Sequence, residues 1–186
     1  MMTMSKLRLL TYVKMGLVVF FVGFGTIEIS SQTKQDPFEG TWKLNPARSW
    51  QFRGEQNKYE IIRIEVKDDV QTYRVRSMGA RSTTDSHSGY SVEYNGNTWV
   101  PYENYIPGNF RDAELLTVKV DDRTHYRIAR ARSTGEAAYI LMRRMAEDGQ
   151  SYAATLLTPD GEITLIRVFE RCDEPCEPSA RYLEDR

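Results

Sequence analysis

Asp85, Ser86 and His87 are the three residue types of a hydrolase triad, but they stand side by side in the Ser/Thr-rich run between Gly79 and Ser88. A nucleophile, its base and an orienting carboxylate must converge from separated backbone positions, which three adjacent loop residues do not do. Loop composition is the reading they support. The carboxylate pairs Asp68-Asp69 and Asp121-Asp122 belong to turns, where Asp bonds its own backbone. No phosphate-cradling glycine loop, His-Glu-x-x-His pair or Cys-x-x-Cys motif occurs. A non-enzymatic protein with no catalytic residue, no metal and no cofactor is expected.

The two cysteines, Cys172 and Cys176, lie in Cys-Asp-Glu-Pro-Cys. A disulfide there would pin the tail, and free or intermolecular thiols are the alternative. A metal needs more ligands than two thiols, and the histidines, His87 and His125, are isolated. Arg123, Arg127, Arg143 and Arg144 fall on strands expected to be neighbours and could hold a carboxylate or phosphate at a barrel mouth. Asp121, Asp122, Glu147 and Asp148 are expected at the same end, so ordinary surface ion pairs are the simpler reading. Tyr73, Tyr90, Tyr94, Trp99 and Tyr126, with Val92 and Ile128, alternate with polar residues and fit the inner wall of an apolar cup. A self-filled core is the other arrangement open to them.

These residues are carried by a long series of short strands. Two-residue turns at Asp68-Asp69 and Asn95-Gly96, a three-residue turn at 121–123, and turns at Asp148-Gly149 and Pro159-Asp160-Gly161 punctuate it. The first predicts Val66 opposite Gln71, Ile64 opposite Tyr73 and Ile62 opposite Val75; the second predicts Trp99 opposite Val92; the third matches Val118 with Tyr126 and Leu116 with Ile128. Ser49 to Asn57 is expected as a loop or short lid, and Pro101, Pro107 and Gly108 break a Tyr-rich connection. The last three strands are apolar on both faces, as central packed strands or strands covered by a partner would be.

Lys6, Arg8 and Lys14 precede the apolar run from Met15 to Gly25, so residues 1–31 are expected to be an export signal or, if uncleaved, an N-terminal anchor. That places the chain in the periplasm, the cell envelope or outside the cell. A barrel over 36–171 and a short charged tail over 172–186 complete the organisation. A formal net charge of −1 gives no pull toward nucleic acid, and membrane contact is expected only through an uncleaved leader.

The stretch from Phe38 to Ser49, Phe-Glu-Gly-Thr-Trp-Lys-Leu-Asn-Pro-Ala-Arg-Ser, resembles the opening strand of small bacterial lipocalin-like domain proteins, a family of largely unassigned function. The resemblance implies an all-β, antiparallel up-and-down barrel of about 8 to 10 strands, calycin-type, with Gly40 at the entry bend and Trp42 plugging one end. It also implies an arginine of the last strand packed on that Trp, with Arg167 and Arg171 as the candidates. The function that follows is an exported protein binding a small hydrophobic or amphipathic ligand inside the barrel. The alternative is a structural or protein-interaction module of the cell envelope with a filled barrel.

Overall fold

Asp68 and Asp69 carry φ angles of 51° and 61°, the left-handed pair that a tight two-residue hairpin turn requires. The computed structural model describes residues 35–106, 112–173 and 175–177. Around that turn the register is Ile62 with Val75, Ile64 with Tyr73 and Val66 with Gln71, as the sequence predicts. The strands are β1 (Gly40–Gln51), β2 (Tyr59–Lys67), β3 (Val70–Met78), β4 (Ser86–Glu93), β5 (Val100–Pro101), β6 (Glu103–Ile106), β7 (Ala113–Asp121), β8 (Thr124–Ala131), β9 (Ala137–Met145), β10 (Ser151–Leu157) and β11 (Ile163–Arg171). They form one antiparallel sheet in the order β5-β7-β8-β9-β10-β11-β1-β2-β3-β4-β6. The early strands lie beside the last ones because β1 pairs with both β2 and β11.

The sheet curls into a nearly closed barrel. Across the remaining gap, Asn95 forms a single bridge to Val118, and Gly96 N–H donates to Thr117 C=O at 3.1 Å. Asn95-Gly96 therefore makes a corner and not the expected hairpin. The Asn95 Oδ1 accepts from the N–H groups of Asn97 and Thr98 at 2.8 and 3.2 Å, which turns the chain toward β7. Val92 lies opposite Gln71 and not Trp99. The loop expected from Ser49 also starts later, since Trp50 and Gln51 pair with Ile166 and Leu165 beyond a bulge in β1.

The core is a single lumen cluster around Phe38, Trp42, Ile62, Ile64, Tyr90, Leu115, Tyr152 and Phe169, all essentially inaccessible. Each such side chain contributes about 1.5–3 kcal/mol by burial. Trp42 sits at the barrel end with its indole N–H on the Phe38 carbonyl at 2.8 Å. Outside the barrel, Tyr59, Ile61 and Met78 form a second cluster beneath Cys176 and Cys172, which are joined as a disulfide. The expected leader (1–31), Pro107, Gly108 and most of the tail lie outside the described residues.

Candidate ligand-binding site

In β8 the residues buried in the lumen are His125, Arg127 and Ala129, while Tyr126 and Ile128 are half-exposed. Val118 pairs with Tyr126 and Leu116 with Ile128, as expected, yet this set faces outward. The inward set of β7 is Leu115 and Thr117, both at 0% exposure. Tyr126 and Ile128 are therefore corrected from ligand wall to outer surface. The cause is that apolar residues occupy both faces of these strands, so matching apolar with apolar across the hairpin does not distinguish inside from outside.

The inversion brings Arg127 and Arg143 into the barrel, at 8% and 1% exposure, where surface ion pairs were expected. Four tyrosine rings surround the Arg127 guanidinium, with centroids 5.4 Å (Tyr73), 5.7 Å (Tyr90), 5.7 Å (Tyr102) and 5.5 Å (Tyr139) from its Cζ. This cation–π cage steadies the charge but leaves the Nε and Nη1 donors unpaired. Arg143 Nη2 donates to Gln71 Oε1 at 2.9 Å, and the Tyr90 hydroxyl donates to the same oxygen at 3.1 Å. Its Nε and Nη1 are buried without partners. Both guanidiniums lie within 6 Å of the Tyr73 ring. Burial pushes the hydroxyls of Tyr73 and Tyr152 well above the ordinary tyrosine range and that of Tyr102 up to about 12, so all three are neutral.

Arg167 forms an ion pair with Glu60, whose Oε2 also accepts from Asn57 Nδ2 at 3.0 Å. Two cavities meet here. The inner one, about 180 Å³, is lined by Arg127, Arg143, Arg167 and Glu60 on its polar side and by apolar residues including Leu141, Leu156 and Phe169 on the other. The outer one, about 570 Å³, shares Glu60, Tyr73, Arg127 and Arg167 with it and is otherwise mostly polar, with Val75 as its apolar exception. With Glu60 engaged by Arg167, Arg127 and Arg143 form no ion pair among the described residues.

Of the residues expected in the wall, Tyr73 lines both cavities. Tyr90 and Val92 are buried in the core, at 1% and 2% exposure. Tyr94 is half-buried, accepts from Gln71 and lies 4.7 Å from the His125 ring. Trp99 stands apart from both cavities beneath Arg130, whose Cζ is 3.9 Å from its ring. At the barrel end, Arg171 and not Arg167 stacks on Trp42, at 4.3 Å. A Cβ on Gly40, whose φ is +131°, would lie 2.6 Å from Arg171 Nη1. Arg127, Arg143, Gln71 and Glu60 were not among the candidates for the inner wall. Their signal was the alternation itself: Leu141, Arg143 and Met145 share one face of β9, so an inward Leu141 carries Arg143 inward with it.

No family model matches the chain, and no curated protein does either. Among solved structures, it is similar to a Schistosoma mansoni fatty acid binding protein in complex with arachidonic acid, at 13% identity and a TM-score of 0.54, over 75% of this chain and 98% of that one. It is also similar to the wild-type fluorescent protein UnaG, at 16% identity and a TM-score of 0.52, over 73% and 97% of the two chains. What these likenesses establish is the fold, an all-β, antiparallel barrel of the calycin type that the fatty acid binding proteins share.

Proposed function

We propose that this chain is a non-enzymatic binder of a small amphipathic anion, held inside the barrel with its carboxylate on Arg127 and Arg143. The observation that carries this reading is the pair of buried guanidiniums with unpaired donors at one cavity. A buried charge without a partner is costly, and an anion of the ligand removes that cost while gaining charge-assisted hydrogen bonds. The apolar side of the cavity takes the ligand's body, and binding is driven by its burial. At about 180 Å³ the inner cavity takes only a small apolar body. A longer chain must extend into the outer cavity. The arachidonic acid complex of one fold neighbour supports an amphipathic carboxylate as the ligand class.

The bacterial lipocalin-like opening and the charged-then-apolar leader support an exported protein of the periplasm, envelope or extracellular space. The Cys172–Cys176 disulfide supports the same compartment. An interaction module is the second reading, favoured by the apolar outer strip of Ile140, Met142, Leu157 and Ile163, the last 47% exposed. The open lumen counts against the filled barrel that this reading assumed.

Calorimetric titration with octanoate and with octanol tests the proposal. Saturable binding of octanoate, at least tenfold tighter than octanol and abolished in Arg127→Met and Arg143→Met, is the expected result. Equal affinity for acid and alcohol, or unchanged binding in both variants, would overturn it.

A further inference from the structure

The outer cavity is walled by lumen-facing positions of β3 and β4. Their pairing runs in levels: Gln71 with Val92, Tyr73 with Tyr90, Val75 with Ser88, and Ser77 with Ser86. At the second level two aromatic rings stack at 4.9 Å and fill the barrel. At the next level Val75 faces Ser88, at the one after it Ser77 faces Ser86, and with only these small side chains along the wall the space stays open. Large apolar side chains at Ser77, Ser86 and Ser88 would close a small barrel, as they do around Trp42. Serine instead leaves room and presents rotatable groups that both donate and accept. Ser88 is 94% buried within this wall, its hydroxyl 3.1 Å from that of Tyr102. Asn57, Ser82 and Thr84 extend the same chemistry around the rim.

We infer that the outer cavity is a second subsite that takes a polyhydroxylated, glycosyl-like part of the ligand. This rests on the anion-binding reading above, because Arg127 borders both cavities and fixes where the two parts of the ligand join. The ligand class is then an acidic glycoconjugate with a small apolar body, and not a plain alkyl carboxylate. The apolar body enters the inner cavity, the carboxylate meets the arginines, and the hydroxyls face Ser77, Ser86 and their neighbours.

Titrations with 3-phenylpropanoate and phenyl β-D-glucuronide, two carboxylates that differ in hydroxyl content, test this. The glucuronide should bind the wild type about tenfold more tightly, the effect of one to two net hydrogen bonds. The Ser77→Val, Ser86→Val double variant should lose that preference while holding 3-phenylpropanoate unchanged. A wild type that binds 3-phenylpropanoate as tightly as the glucuronide overturns the second subsite and leaves the arginine site standing. A wild type that binds neither acid removes both.

Discussion

Arg171 lays its guanidinium 4.3 Å from the Trp42 ring and directs its donors to three backbone carbonyls. Nη1 reaches Glu39 at 2.9 Å, Nη2 reaches Pro37 at 3.0 Å and Nε reaches Gly149 at 3.3 Å. One side chain thus joins the entry to β1, the end of β11 and the turn before β10. Arg171→Lys keeps the charge but cannot span three acceptors from one ammonium. It should lower stability by about 1–2 kcal/mol, seen as an earlier urea midpoint with an unchanged slope.

Glycines at different positions should respond differently to one methyl group. A Cβ on Gly89 would lie 2.3 Å from the Tyr73 carbonyl oxygen, within the β3–β4 pairing, where the backbone cannot retreat. Gly89→Ala should cost about 3 kcal/mol or more. Gly135 has a φ of +73° and open space around it, so Gly135→Ala should cost only about 1–2 kcal/mol of conformational strain. Denaturant melts of the two variants give the comparison, and similar losses would contradict it.

Arg143 sits in the lumen as a charge without a carboxylate partner among the described residues. Arg143→Met has a similar shape and leaves the Gln71 carbonyl its bond from Tyr90. The ligand-free variant should be as stable as the wild type or more stable, by up to about 2 kcal/mol. A loss of several kcal/mol on thermal or urea unfolding would mean that the guanidinium holds the fold together, and that its free donors are incidental.

His125 is enclosed by Phe38 at 4.3 Å and Tyr94 at 4.7 Å between ring centroids, with neither ring nitrogen hydrogen-bonded. Burial, followed by repulsion from Arg143 and Lys119, pushes its pKa down to about 2, against the weaker pull of Asp122. The unfolded chain binds this proton near pH 6.5 and the folded chain does not, so its contribution to stability is lost as pH falls below 6.5. At pH 4.5 the loss should reach about 2–3 kcal/mol. His125→Phe should remove that component from the pH profile, and a variant profile parallel to the wild type would refute the assignment.

The disulfide closes a loop with a sequence separation of 4, which restricts the unfolded chain little. Loop entropy gives about 2 kcal/mol. The Cys172→Ser, Cys176→Ser double variant should lose about that much, and its loosened tail should expose Tyr59, Ile61 and Met78 to an apolar dye. No gain in dye binding would show that the tail stays docked through the bond from Cys172 N–H to the Thr41 carbonyl and through Lys43 on Glu177.

Local chemistry accounts for what is legible in the sequence. Asp68-Asp69 fixes its own hairpin, because two residues with positive φ admit one register. The pairing of Val118 with Tyr126 was legible from apolar matching across the next turn, although Asp121 pairs with Thr124 past a register shift, which leaves two turn residues where three were expected. Asn95-Gly96 has equally strong turn chemistry and still does not make a hairpin, because the next partner of that segment is Val118, distant in sequence. Trp99 followed from that turn and was misplaced with it.

Turn residues and strand alternation, both short-range properties, were enough to determine an all-β antiparallel meander and most of its registers, while the resemblance of the Phe38 to Ser49 stretch implied a Trp42 plug awaiting an arginine. Tertiary structure alone decided which arginine, since Arg167 and Arg171 share a strand and only closure of the barrel brings Arg171 to Trp42 and Arg167 to Glu60. It also decided which face of β8 and β9 is the inside. A period of two is symmetric between the two faces of a strand, and the direction in which the whole sheet curls breaks that symmetry. That curl turned Tyr126 and Ile128 out to the surface and carried Arg127 and Arg143 into the lumen.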